Sequence, residues 1–179
     1  MKQLKPRNSV LSFYTGTDGT YASVKPKDKS AARLQAYCLV ATSMGHIGVI
    51  SPLDLHTTVM YSKVGLNVDA QKTLWAEHYS VERVFAAKPK HFVHWAGHDD
   101  DGYIVLELES ADLTELNTVL QKQFGLTSSF PDYRPHVTIV NKAYAKGGVE
   151  LAQQTVDRLN GMRMPNTLLF TGLRVEDLA

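Results

Sequence analysis

The sequence predicts an α+β fold made of two similar halves, and three observations point to it. Strand-like and helix-like segments alternate twice along the 179 residues. Each half carries a His-x-Thr motif on a β-rich segment, His56-Thr57-Thr58 and His136-Val137-Thr138. No linker stands out between the halves, so residues 1–179 read as two lobes of one domain.

The elements follow in order. Residues 8–20, rich in Ser, Thr and Gly, read as a loop leading to a strand over Tyr21–Val24, broken by Lys25-Pro26-Lys27-Asp28. Ser30 suits the N-cap of a helix from Ala31 to about Met44, with Gly45 as its stop and Leu34, Tyr37, Cys38 and Ala41 as its inner stripe. Strands are expected at Leu55–Tyr61, Val81–Phe85, His91–Ala96 and Tyr103–Glu109, with a hairpin loop from Gly97 to Gly102. Asp112–Phe124 reads as a helix with Leu113, Leu116, Val119 and Leu120 inside and Gly125 ending it. A strand over Pro135–Asn141, a helix over Val149–Leu159 and a strand over Thr167–Val175 complete the second half.

Composition narrows the function classes. Apolar residues make up 44% and charged residues 21%, with 19 basic against 18 acidic side chains. That balance argues against binding long nucleic acid, which calls for a basic excess, but one phosphate needs only a few placed donors. The single cysteine, Cys38, permits no internal disulfide and no Cys-based zinc site, and its apolar setting reads as a buried, inert thiol. No signal segment follows the basic Met1–Arg7, and no window approaches the about 18 apolar residues of a membrane span. A cytoplasmic protein with no membrane partner is expected.

The chemistry is expected in the paired motifs. Side chains alternate along a strand, so His56 projects with Thr58, and His136 with Thr138, while Leu55, Val59, Pro135, Val137 and Ile139 suit a packed face. Thr57 is the polar exception on that face. Two imidazoles fit phosphodiester cleavage, which needs a base for the nucleophile and an acid for the leaving oxygen, because histidine exchanges protons near neutrality. The threonine hydroxyls suit the non-bridging phosphate oxygens. This arrangement requires no metal and no cofactor. One His-x-Thr alone is a weak signal; two, one per half and 136 − 56 = 80 residues apart, argue against coincidence.

At these residues the chain resembles the 2H phosphoesterases, whose signature is two His-x-Thr/Ser motifs. The resemblance implies a bilobal fold with pseudo-two-fold symmetry, antiparallel sheets lining a central cleft and helices outside. It makes His56 and His136 the acid and base, and Thr58 and Thr138 the phosphate binders. The segments Gly19-Thr20-Tyr21-Ala22-Ser23-Val24-Lys25 and Leu55-His56-Thr57-Thr58-Val59-Met60-Tyr61-Ser62 are more closely similar to the bacteriophage anti-CBASS phosphodiesterases, which degrade cyclic oligonucleotide signals of bacterial immunity. This likeness implies a cyclic di- or trinucleotide substrate, host bacterial cytoplasm as the place of action, and Tyr21 as a nucleotide contact. It implies an acidic residue and an aromatic one closing the lid near the C-terminus; Glu176 fits the first, and no tryptophan follows it. The alternatives are a 2H enzyme acting on 2′,3′-cyclic or 2′–5′ RNA ends, and a sponge that binds cyclic nucleotides without cleaving them.

Other residues carry weaker signals. Arg134 lies two before His136 and is expected on its face, within reach of a phosphate or as a solvated arginine. Trp75 and Trp95 read as core residues, with base stacking as the alternative. His91 and His94, three apart on a strand, point to opposite faces and so do not form a metal site with His98 and Asp99–Asp101. His46 and His78 carry no motif, and Gly16-Thr17-Asp18-Gly19 lacks the lysine of a phosphate loop.

Overall fold

The computed structural model describes residues 19–66, 69–70, 83–97, 101–130 and 132–177. The expectations for residues 8–18, Trp75, His78, Val81 and His98–Asp100 lie outside them. Among the described residues the chain runs β1 (Thr20–Pro26), α1 (Asp28–Ser43), β2 (Thr57–Ser62), β3 (Val84–Trp95), β4 (Tyr103–Glu109), α2 (Ala111–Phe124), β5 (His136–Asn141), α3 (Gly148–Asn160) and β6 (Leu168–Asp177).

The strands hydrogen-bond in the order β1-β2-β5-β4-β3-β6, and β6 returns to β1, closing a barrel of antiparallel pairs. The order hides a two-fold: β2-β1-β6 corresponds to β5-β4-β3. The succession β1-α1-β2 is repeated by β4-α2-β5, so each half presents its motif strand after the same strand–helix step. Burial repeats as well, since residues 55–61 and 135–141 share one alternation of buried and part-exposed positions, ending exposed. This is the bilobal α+β arrangement that the resemblance to the 2H phosphoesterases implies.

The halves join where Thr57 of β2 pairs with Val137 of β5, the middle residue of each motif. Past that pair the two strands take other partners. Ile50 N donates to Ile139 O and Asn141 N to Gly48 O along β5, while Ser129 N donates to Tyr61 O along β2. The motif strands therefore diverge from one crossing point and leave a cleft between them.

Packing explains the elements and three departures from expectation. Leu34, Tyr37, Cys38 and Ala41 of α1 are buried as predicted, and burial pushes the Cys38 thiol up to about 11, in keeping with an inert side chain. Ser30 is not the N-cap. Lys27 occupies that position because its N–H is fixed to Leu169 O of β6, and Ser30 Oγ inside the first turn accepts from Leu169 N at 2.8 Å. The described residues of the strands expected at Val81–Phe85 and His91–Ala96 belong to one strand, β3, over Val84–Trp95. Pro89 is tolerated because β3 changes partner there, from β6 over 84–87 to β4 from Lys88, with a bulge before Phe92. Asn160, ending α3, serves the bulge: its side chain accepts from Phe92 N at 2.7 Å and donates to Phe92 O at 3.0 Å. On α2, Val119 is only half-buried and Asn117 takes the inner place, donating to Val59 O at 2.7 Å and anchoring the first motif strand. Ser110 caps α2, and Gly125, at φ 68°, ends it in a left-handed conformation suited to glycine.

Two buried polar groups have measurable consequences. Thr57 is fully buried, and its hydroxyl has no hydrogen-bond partner among the described residues. An unsatisfied buried hydroxyl costs stability, so Thr57→Val, which keeps the shape, is expected to stabilise the fold by about 1–2 kcal/mol. Urea denaturation measures this; a loss of stability would show that the hydroxyl is satisfied in solution.

His46 is 6% exposed and its Nε2 lies 2.8 Å from Thr155 Oγ1 of α3. That hydroxyl donates to Leu151 O, so it accepts from the imidazole N–H. Burial holds His46 below the ordinary histidine range. The unfolded chain therefore takes up this proton first as pH falls. The contribution is complete above about pH 6.5 and declines below it. Denaturation midpoints are expected to fall from pH 7 toward 5.5, and less steeply in His46→Gln; equal slopes would remove His46 from the account.

Candidate active site

The cleft face at the crossing is built from alternate residues of neighbouring strands. Thr57 and Val137 point into the core, so their neighbours His56, Thr58, His136 and Thr138 point the other way and are part-exposed. The four motif side chains are thereby brought to one surface by a single cross-strand pair.

The imidazoles are held identically. His56 Nδ1 lies 2.6 Å from Asp54 O, and His136 Nδ1 lies 2.7 Å from Arg134 O. A carbonyl only accepts, so each Nδ1 carries a proton and each Nε2 is the atom left for proton exchange. His136 differs in its surroundings: burial, with a smaller contribution from the nearby His56, lowers its pKa, partly offset by the Arg134 carbonyl and by Glu107.

Tyr21 reaches the first motif from β1. Its hydroxyl is 3.0 Å from Thr58 Oγ1, and its ring stands edge-on to His56 at 6.0 Å. Burial raises its pKa and keeps the phenol protonated. Glu176 of β6 is the cross-strand partner of Tyr21, so it lies beside this group, with a carboxylate oxygen 2.7 Å from Arg174 Nε. Arg134 meets the second motif through its carbonyl; its side chain is exposed.

Several residues at the site carried no motif. Trp95 is part-exposed rather than a core residue, because its ring packs 4.5 Å from that of His136. Alternation offered a signal, since Trp95 falls on the face opposite buried Phe92. Tyr133 donates to Thr58 O at 3.2 Å and so ties the approach to β5 to the first motif. Glu107 is the cross-strand partner of His136, and the signal for it was an acid within the otherwise apolar Ile104–Leu108. His91 and His94 do face apart: His91 Nε2 is 3.7 Å from Glu107, whereas His94 contacts Tyr144 and Gln153. Among the described residues no group of three or more His, Cys, Asp or Glu is placed to hold a metal ion. Nor is any described helix long and apolar enough to cross a membrane.

Comparison with known proteins agrees with this architecture. A family model described as "Anti-CBASS protein Acb1" matches residues 18–161. No curated protein matches the chain. Usb1 from Kluyveromyces marxianus superposes with a TM-score of 0.52 at 11% identity, covering 90% of this chain and 94% of Usb1. TT0787 from Thermus thermophilus superposes with a TM-score of 0.52 at 14% identity, covering 88% of this chain and 83% of TT0787. At such identities the likeness is one of fold.

Proposed function

The chain belongs to the anti-CBASS protein Acb1 family, and we propose that it is a phosphodiesterase that cleaves 3′–5′ bonds of cyclic di- or trinucleotide immune signals. Acting in the cytoplasm of an infected bacterium, it would remove the signal on which CBASS defence depends. The observation that carries this reading is the meeting of the two His-x-Thr motifs at the Thr57–Val137 pair, with both Nδ1 atoms committed to carbonyls and both Nε2 atoms left for substrate.

The chemistry follows from those atoms. One neutral Nε2 takes the proton of a ribose 2′-hydroxyl, whose oxygen attacks the adjacent phosphorus. The other imidazole, protonated, gives its Nε2 proton to the departing 5′-oxygen. The products are a 5′-hydroxyl and a 2′,3′-cyclic phosphate, which water opens with the proton transfers reversed. Thr58 and Thr138 donate to the non-bridging oxygens as charge develops. With the Tyr21 phenol as donor to Thr58 Oγ1, 3.0 Å away, the threonine O–H would be left for phosphate. Trp95 offers a ring beside His136 on which a base can stack. Arg134 supplies a guanidinium for a phosphate, and Glu176 with Tyr21 forms the edge over which the ligand lies. Each step uses side-chain protons, so none calls for a metal.

Incubating the protein with cyclic dinucleotides, cyclic trinucleotides and RNA ending in a 2′,3′-cyclic phosphate, with EDTA present, tests the proposal. Turnover of a cyclic oligonucleotide supports it. Turnover of the RNA end alone would move the substrate to RNA, and tight binding without cleavage would make the protein a sponge.

A further inference from the structure

The two histidines are equivalent in backbone position and in the carbonyl each binds, yet their surroundings differ in charge. His136 of β5 pairs across the ladder with Glu107 of β4, so the two side chains leave the same face of the sheet as neighbours. The Glu107 side chain is only 15% exposed, and on its far side His91 of β3 lies 3.7 Å away. His91, Glu107 and His136 thus form a row across β3, β4 and β5, with a sheltered carboxylate in the middle. Several elements face His136. His56 comes from the segment entering β2, Glu107 from β4 and the Arg134 carbonyl from its own segment, while β3 supplies Trp95 against the ring and His91 behind Glu107.

We propose that Glu107 is a positioning residue for His136, holding its charged form in place, and that this makes His136 the histidine that takes the proton of the nucleophile. The second half of the statement rests on the phosphodiesterase reading; the first does not. The logic is that of a base kept neutral by burial before the reaction and stabilised by a carboxylate once it becomes an imidazolium. Burial lowers the pKa of His136, and Glu107 opposes that effect. The proton of the 2′-hydroxyl passes to His136 Nε2, the new bond forms between O2′ and phosphorus, the bond from phosphorus to O5′ breaks, and O5′ receives the proton of His56 Nε2. In the second step His56 regains its proton from the attacking water, while His136 gives the one it holds to the departing O2′.

Two readouts separate the halves of the proposal. In NMR titrations of the imidazole signals, Glu107→Gln is expected to move the His136 midpoint to lower pH. His91→Gln, which frees Glu107 from its other partner, is expected to move the His136 midpoint upward. These signals do not depend on turnover, so an unmoved His136 midpoint in both variants overturns the role of Glu107 whatever the protein's activity. On a cyclic oligonucleotide that the wild type cleaves, Glu107→Gln should lower kcat by about tenfold and move the acidic limb of the kcat/KM profile to lower pH. A loss of rate with the limb unmoved would overturn His136 as the base. If Glu107→Gln fails to fold, the His91→Gln titration decides alone.

Discussion

Replacing either His56 or His136 with alanine is expected to reduce kcat on a cyclic oligonucleotide by about 10²–10⁴-fold, the usual worth of a placed acid or base. The fold should survive, because both side chains lie on the cleft face and are only part-buried, and because the core at the crossing is made by Thr57, Val137 and their packed neighbours. Each alanine leaves a carbonyl, Asp54 O or Arg134 O, without its imidazole donor, at the edge of the cleft where water can replace it. In the proposed mechanism the two residues act on one transition state, so the double variant is expected to lose little more than either single one. Retained turnover in His136→Ala, with circular dichroism unchanged, would remove the residue from the chemistry.

The second large effect concerns the substrate. A cyclic oligonucleotide whose 2′-hydroxyls next to the scissile bonds are replaced by hydrogen should bind and resist cleavage entirely. The nucleophile is then missing, while the contacts proposed for Thr58, Thr138 and Trp95 fall on phosphate and base and persist. Calorimetry paired with a turnover assay reads both parts. Cleavage of the deoxy analogue would mean that water attacks phosphorus directly, and the histidines would need other roles.

Much of this was legible in the chain because it follows from alternation. Once His56 and Thr58 stand on one face of a strand, Leu55, Thr57 and Val59 must stand on the other, and the structure places them so. The helices were legible from their apolar spacing and from Gly125. What was not legible depends on partners distant in sequence. Ser30 resembled an N-cap, yet the start of α1 is decided by Leu169, 139 residues away. Val81–Phe85 and His91–Ala96 read as two strands, yet β3 runs through Pro89 between them because the neighbouring strand changes there and Asn160 satisfies the bulge. The same limit applies to the site. His-x-Thr is local and could be read directly, whereas Glu107 and Trp95 join it only through the β3–β4–β5 register. A sheltered acid in an apolar strand hinted at a partner without naming His136.

Closing the barrel also gives the cleft its shape. The motif strands share one register pair and then accept residues 48–50 and 128–129 as partners, so the paired imidazoles sit where two diverging ladders meet. Pseudo-symmetry puts the two imidazoles in equivalent positions, and in the proposed mechanism the charge of Glu107 on one side distinguishes them.

The central claim is cleavage by an internal 2′-hydroxyl under the control of two histidines. Its most direct test is the chemical identity of the first product, followed by phosphorus NMR and mass spectrometry during turnover of a cyclic oligonucleotide in EDTA. The account predicts a linear product with a 5′-hydroxyl and a 2′,3′-cyclic phosphate, later opened by water. A first product bearing a 5′-phosphate and a free 3′-hydroxyl would contradict it.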